Sequence, residues 1–173
     1  MSTDLLRALI RDVPDFPKPG IMFKDITPLL RDPRGLDASV LMLAEPFKDQ
    51  GVTTVAGIES RGFIFGSCVA RILGAGFVPI RKPGKLPWTK RSHEYELEYG
   101  KDKIEIHDDA ISPNDRVLVI DDVLATGGTL AAAVALVREF DAHLVGAATV
   151  IELSFLDGRR KIEGVQFHSV LSY

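Results

Sequence analysis

At 173 residues, 46% of them apolar and 26% charged, the chain suits one globular domain burying about two-thirds of its unfolded surface. A formal net charge of −3 with no long block of like charge offers no footprint for nucleic acid. No apolar run approaches the ~20 residues that span a bilayer, and the single cysteine excludes an intrachain disulfide.

Leu5, Leu6, Leu9 and Ile10 recur at helical spacing, which predicts an amphipathic helix over 3–12. Charges at Asp4, Arg7, Arg11 and Asp12 interrupt the leucines, so this stretch does not read as a signal peptide, and a cytoplasmic location is the expectation. Pro14, Pro17, Pro19 and Gly20 then exclude helix and predict an extended, stiff arm carrying Ile21, Met22 and Phe23. Such an arm either packs plainly against the domain or walls a pocket for a flat, apolar-faced ligand. A helix is expected over 37–50, kinked or ended by Pro46, and a strand over 52–58. That strand runs into Glu59-Ser60-Arg61-Gly62 and a helix over 63–73, for which Ser60 is the plain N-cap. Cys68, on this helix, reads as a small core residue. After a strand over 77–81 the character changes. Residues 81–103 carry Arg81, Lys82, Lys85, Lys90, Arg91, Lys101 and Lys103 among Pro83, Gly84 and Pro87, which fits a mobile lid over an anion or a solvated basic hairpin. An edge strand over 103–107, a helix over 130–140, strands over 144–151 and 165–171, and a helical turn over 157–161 complete the chain. The four histidines lack metal-ligand spacing, and no protein metal site is assigned.

The most informative stretch is 117–130. Val117 to Ile120 is a short β-branched run of the kind buried on both faces of a parallel sheet, and Asp121 and Asp122 end it. Ala125, Thr126, Gly127, Gly128 and Thr129 then lead into the helix. Glycines let backbone N–H groups turn towards an anion, the threonines add hydroxyls, and the helix N-terminus contributes positive partial charge. Gly128 is followed directly by Thr129, not by the lysine of a Walker A loop, and the G-x-G-x-x-G spacing of a dinucleotide site is absent from this segment. Two adjacent carboxylates beside a phosphate cradle would suit the diol and phosphate of a ribose 5-phosphate. A βα turn with two helix-capping acids is the alternative that the residues leave open.

This stretch resembles the phosphoribosyl pyrophosphate (PRPP) motif of type I phosphoribosyltransferases. The resemblance implies that Asp121 and Asp122 hold the ribose hydroxyls and that Ala125 to Thr129 hold the 5-phosphate. Asp15 to Pro28 resembles the N-terminal hood of adenine phosphoribosyltransferases, implying that backbone at Met22, Phe23 and Lys24 reads the adenine edge while the Lys24 side chain stays solvated. Glu59-Ser60-Arg61-Gly62-Phe63 is similar to that family's pyrophosphate loop, which assigns pyrophosphate to Ser60, Arg61 and Gly62 and suggests a cis peptide before Arg61. Arg81 and Lys82 are expected to assist there, with a basic residue near Arg81 reaching a neighbouring site. Leu97-Glu98-Tyr99-Gly100 matches a motif in the family's lid, which makes Glu98 the expected general acid/base for the purine proton.

The expectations are therefore an α/β fold, a mainly parallel sheet flanked by helices, in a single domain with a hood over about 1–30 and a flexible lid over about 82–103. The resemblance implies transfer of phosphoribose from PRPP to N9 of adenine, giving AMP and pyrophosphate in purine salvage. It also implies a homodimer and Mg²⁺ held mainly by substrate. Xanthine or orotate phosphoribosyltransferases would share the PRPP motif but not the hood. A non-catalytic PRPP-binding regulator would be expected to carry a DNA-binding domain and a basic surface.

Overall fold

In the computed structural model, which describes residues 2–97 and 100–173, the chain divides into two compact units, one running to Met42 and the other from Leu43 to Tyr173. The apolar, β-branched runs of the second unit form a five-stranded sheet. Its strands are β3 (Thr54–Ile58), β4 (Gly76–Ile80), β7 (Arg116–Leu124), β8 (His143–Glu152) and β9 (Phe167–Ser172), in the order β4-β3-β7-β8-β9 and all parallel. Val55, Ala56, Leu118, Val119, Ala147 and Ala148 are fully buried, as central strands covered on both faces require.

The β3–β4 and β7–β8 crossovers each carry a helix, α4 (Gly62–Leu73) in the first and α5 (Gly128–Arg138) in the second. The first crossover steps to one side of the sheet and the second to the other, so right-handed connections place α4 and α5 on opposite faces. The strand order reverses between β3 and β7, and there the sheet opens. β3 pairs with β7 only as far as Gly57 opposite Ile120, while β7 continues beside β8 through Asp121 to Leu124. Asp121 and Asp122 therefore lie within the strand rather than ending it, because β8 keeps the ladder going after β3 has turned away.

Residues 90–97 and 100–107 contain a second strand besides the edge strand expected over 103–107. They form an antiparallel hairpin of β5 (Lys90–Leu97) and β6 (Gly100–His107). Tyr95, Ile104 and Ile106 belong to the same buried cluster as Leu130, Ala133 and Leu136 of α5, so the described part of the hairpin is docked on the domain. Cys68 is also a correction: it is half-buried on α4, not in the core.

In the first unit, α1 covers only Thr3–Ala8, because Arg11–Val13 leaves the helical path as β1 to pair antiparallel with β2 (Phe23–Asp25). The proline arm is thus the loop of a hairpin, with Phe16 edge-on to Phe23 at 5.1 Å between ring centroids. α2 (Thr27–Arg31) and α3 (Pro33–Ala44) follow, and the turn at Glu45–Phe47 ends the helical run where Pro46 was expected to. Among the described residues, no helix is long and apolar enough to cross a membrane.

Candidate active site

A cavity of about 420 Å³ lies at the carboxyl ends of β3 and β7. Glu59, Ser60 and Arg61 from the β3–α4 turn, Lys82 beyond β4, and every residue from Asp121 to Leu130 line it. Two turns far apart in sequence meet because both follow strands that end at the reversal of strand order, where open α/β sheets place their ligands.

The floor is acidic. Asp121 and Asp122 are 9% and 4% exposed, and the Asp122 N–H donates to the Asp121 carboxylate at 2.9 Å. Burial, reinforced by the charge of Asp122, pushes the Asp121 carboxyl well above the usual carboxylate range. Burial also raises Asp122, but the Arg61 guanidinium, with Nε 2.8 Å from Asp122 Oδ2, opposes the shift. Asp122 is the member of the pair bonded directly to a cation.

The opposite wall is a helix start without a side-chain cap. Gly127 occupies the N-cap of α5 at φ +79°, a left-handed conformation that glycine adopts without steric cost, and among the described residues the helix start has no side-chain cap hydrogen bond. Backbone donors and the helix dipole are thereby left to an anion.

Lys82 and Thr129, which line the cavity, are held from behind by the docked hairpin. The Tyr95 hydroxyl lies 2.9 Å from Asp102 Oδ2, 3.0 Å from Lys82 Nζ and 3.1 Å from Thr129 Oγ1. Lys82 also bonds Asp102 directly. A hydroxyl has one proton, and the carboxylate only accepts, so Tyr95 donates to Asp102 and accepts from Lys82 and Thr129. Burial would lower the Lys82 ammonium, but its bonds to Asp102 and Tyr95 outweigh that and hold it above the usual range. Asp102, raised by burial, is brought below the usual carboxylate value by the same lysine.

Several expected residues are placed elsewhere. Arg81 does not reach the cavity wall: its Nε donates to Glu59 Oε2 at 3.1 Å and its Nη1 to the Lys85 carbonyl. Gly62 is a spacer beneath the cavity, since a Cβ there would lie 2.9 Å from the Ile120 carbonyl oxygen and 3.1 Å from Asp121 Cα. The cis peptide is Glu59–Ser60, one bond earlier than the peptide before Arg61. Arg61, already helical at φ −73°, is the N-cap of α4, so Ser60 does not cap it. Lys24 is not solvated. It stands opposite Asp12 in the β1–β2 register and bonds it at 2.6 Å, as cross-strand opposite charges do. Met22 is 47% exposed and Phe23 half-buried within the first unit. Glu98 lies outside the described residues.

The residue reading passed over Glu59, Tyr95 and Asp102. Glu59 sits where β3 ends, and its carboxylate accepts from the Lys82 N–H at 2.9 Å. Alternation along β5 could have suggested that Tyr95 points inward, but the partners of its hydroxyl come from three separate segments.

Residues 27–169 match the phosphoribosyl transferase domain family. The chain is 54% identical over 170 residues to the adenine phosphoribosyltransferase of Methylococcus capsulatus, covering 98% of this chain and 99% of that one. This chain belongs to the adenine phosphoribosyltransferases. A solved member of the family, from Rhodothermus marinus, superposes with a TM-score of 0.95 at 52% identity, covering 99% of this chain and 98% of its own. The Saccharomyces cerevisiae member was solved with adenine and D-2,5-dideoxy-2,5-imino-altritol 1,6-bisphosphate. It gives a TM-score of 0.91 at 40% identity over 98% of both chains. The family is one of pentosyl-transferring enzymes, and this chain carries its fold, a parallel five-stranded sheet flanked by helices.

Proposed function

We infer that this chain transfers the 5-phosphoribosyl group of PRPP to N9 of adenine, releasing pyrophosphate and forming AMP for purine salvage. The observation that carries this reading is one cavity joining a buried acidic pair to an uncapped, glycine-rich helix start. It occurs in a chain 54% identical to an adenine phosphoribosyltransferase.

Asp121 and Asp122 accept from the ribose 2- and 3-hydroxyls, and the backbone of Ala125 to Thr129 holds the 5-phosphate. The bond from the anomeric carbon to pyrophosphate breaks as the bond to N9 forms. Positive charge develops on the sugar, and the adjacent carboxylates stabilise it. Arg61, Ser60 and Lys82 receive the departing pyrophosphate, and Lys82 exchanges Asp102 for a phosphate oxygen as it does so. Mg²⁺ would neutralise pyrophosphate charge. Asp121 and Asp122 are two adjacent acids rather than a three-donor cage, and no cluster of three metal-ligating groups occurs among the described residues. That donor set fits a hard cation shared with substrate oxygens and water. Glu98 exchanges the purine proton. Backbone N–H and C=O at Met22 to Lys24 match the acceptor at N1 and the donor at N6 of adenine. The active assembly is a cytoplasmic homodimer.

The test is turnover with PRPP and Mg²⁺, offering adenine, hypoxanthine, guanine, xanthine and orotate separately. AMP formation from adenine alone is the expected result. Turnover of another base would refute the hood assignment while keeping the sugar-phosphate site, and PRPP binding without turnover would refute the enzyme reading.

A further inference from the structure

We propose that Gly158 is a positioning residue for the 5-phosphate: its bare backbone backs the phosphate loop and fixes how that loop faces the ligand. This rests on the PRPP reading above. Residues 157–161 were expected to supply a helical turn, and 153–156 were given no structure. The segment forms two 3₁₀ turns, Ser154–Leu156 and Gly158–Ile162, and the second lies directly behind Ala125 to Gly127.

The fit leaves no room for a side chain. A Cβ at Gly158 would stand 2.9 Å from the Gly127 nitrogen and 3.1 Å from the Thr126 carbonyl carbon, and closer still to the Ala125 carbonyl oxygen. Viewed from the loop, a Cβ at Gly127 would meet the Gly158 carbonyl group in the same way. All the atoms met are backbone, so neither side can yield by rotating a side chain. Gly158 does not have a positive φ, and it is buried. The glycine is therefore required by proximity rather than by its own conformation.

The turn is itself held in place. Next to Gly158, the Arg159 guanidinium bonds both carboxylate oxygens of Glu152 at the end of β8, with Nη2 2.7 Å from Oε2. Ser169 of β9 donates to the same Oε2 at 2.7 Å, and the guanidinium lies over the Phe167 ring at 4.8 Å. A planar fork on a carboxylate fixes both distance and orientation. The Arg159 bonds hold Glu152 below the usual carboxylate range. The backbone N–H of Leu153 donates to the Leu124 carbonyl at 2.9 Å, which joins the start of this segment to the strand that carries the loop. The loop is thus backed by the end of β8 and an ion pair, neither of which lines the cavity.

Steady-state rates for wild type and Gly158→Ala, varying PRPP and adenine separately, test this, together with calorimetric binding of ribose 5-phosphate. Displacing the loop by a fraction of an ångström should raise the KM for PRPP and the Kd for ribose 5-phosphate about ten-fold or more. The KM for adenine should remain within about two-fold, because that site does not include the loop. Arg159→Ala, which adds no atom near the loop, should give a smaller rise confined to the same two constants, and it decides the matter if Gly158→Ala does not fold. Unchanged PRPP and ribose 5-phosphate constants in a folded variant, or equal rises for PRPP and adenine, would overturn the proposal. Wild type that turns over no base would instead refute the enzyme reading on which it rests.

Discussion

Asp122 carries opposing demands at the scale of one side chain. It is buried, which disfavours its charge, and it faces Arg61, which favours it. A carboxylate kept in so dry a place is costly to the fold and useful to a developing cation. Asp122→Asn keeps the shape and removes the charge. It should lower kcat about 10²-fold while leaving the thermal midpoint unchanged or slightly raised. Unchanged turnover at equal stability would remove Asp122 from the diol-reading role. That the pair shares a site with the loop was legible from two acids beside a Thr-Gly-Gly-Thr sequence. That Asp122 faces a cation was not, since it depends on a guanidinium arriving from another turn.

Among elements, the β5–β6 hairpin departs furthest from expectation. Read along the chain, its lysines and arginines suggest a mobile lid over an anion or a solvated basic hairpin. In the fold it is tied along α5. Arg91 bonds the Glu139 carbonyl and lies over the Phe140 ring at 4.2 Å, His93 Nδ1 is 3.2 Å from Glu139, and Tyr95 reaches Thr129 at the helix start. Tyr95→Phe keeps the buried ring and deletes only the hydroxyl. The loss should be about 1 kcal/mol of local stability, seen as roughly five-fold faster amide exchange in β5 and β6 with little change in β8. Exchange that is unaltered in the hairpin would mean that the hydroxyl does not tether it. That the segment is basic was legible and the seat of Arg91 on Phe140 was not, because an arginine on an aromatic face and one in water look alike in a sequence.

For the whole molecule, acid stability turns on how the sheet is started. Asp115, just before β7, accepts from the Ser112 N–H at 2.7 Å and from the hydroxyls of Thr53 at 2.7 Å and Thr54 at 3.0 Å, joining the entries of β3 and β7. The Ser112 N–H, then the Thr53 hydroxyl, hold its carboxyl down at about 2. A depressed carboxyl adds stability above its unfolded pKa of ~3.9 and loses it as the pH falls through the folded value. Asp115→Asn should therefore cost about 1 kcal/mol near neutral pH, allowing for solvent screening. The gap in urea midpoint should close as the pH is lowered from about 5 to 2. A gap that persisted at low pH would show that the carboxylate charge is not its source.

Local order along the chain was enough to specify the alternation of strands and helices, the parallel sheet, and the two turns bearing Glu59 to Gly62 and Asp121 to Thr129. Each of these rests on a short-range signal: β-branched runs, helical spacing, or glycines at a strand-to-helix junction. Strand order then decided what those turns do together, by reversing between β3 and β7 and opening the sheet beside Asp121. It also turned Arg81 towards Glu59 rather than the cavity, joined Tyr95 to Lys82, Asp102 and Thr129, and set Gly158 against Gly127. These are contacts between residues distant in the chain, and their existence depends on which strand ends lie side by side, a property of packing that no window of neighbouring residues contains.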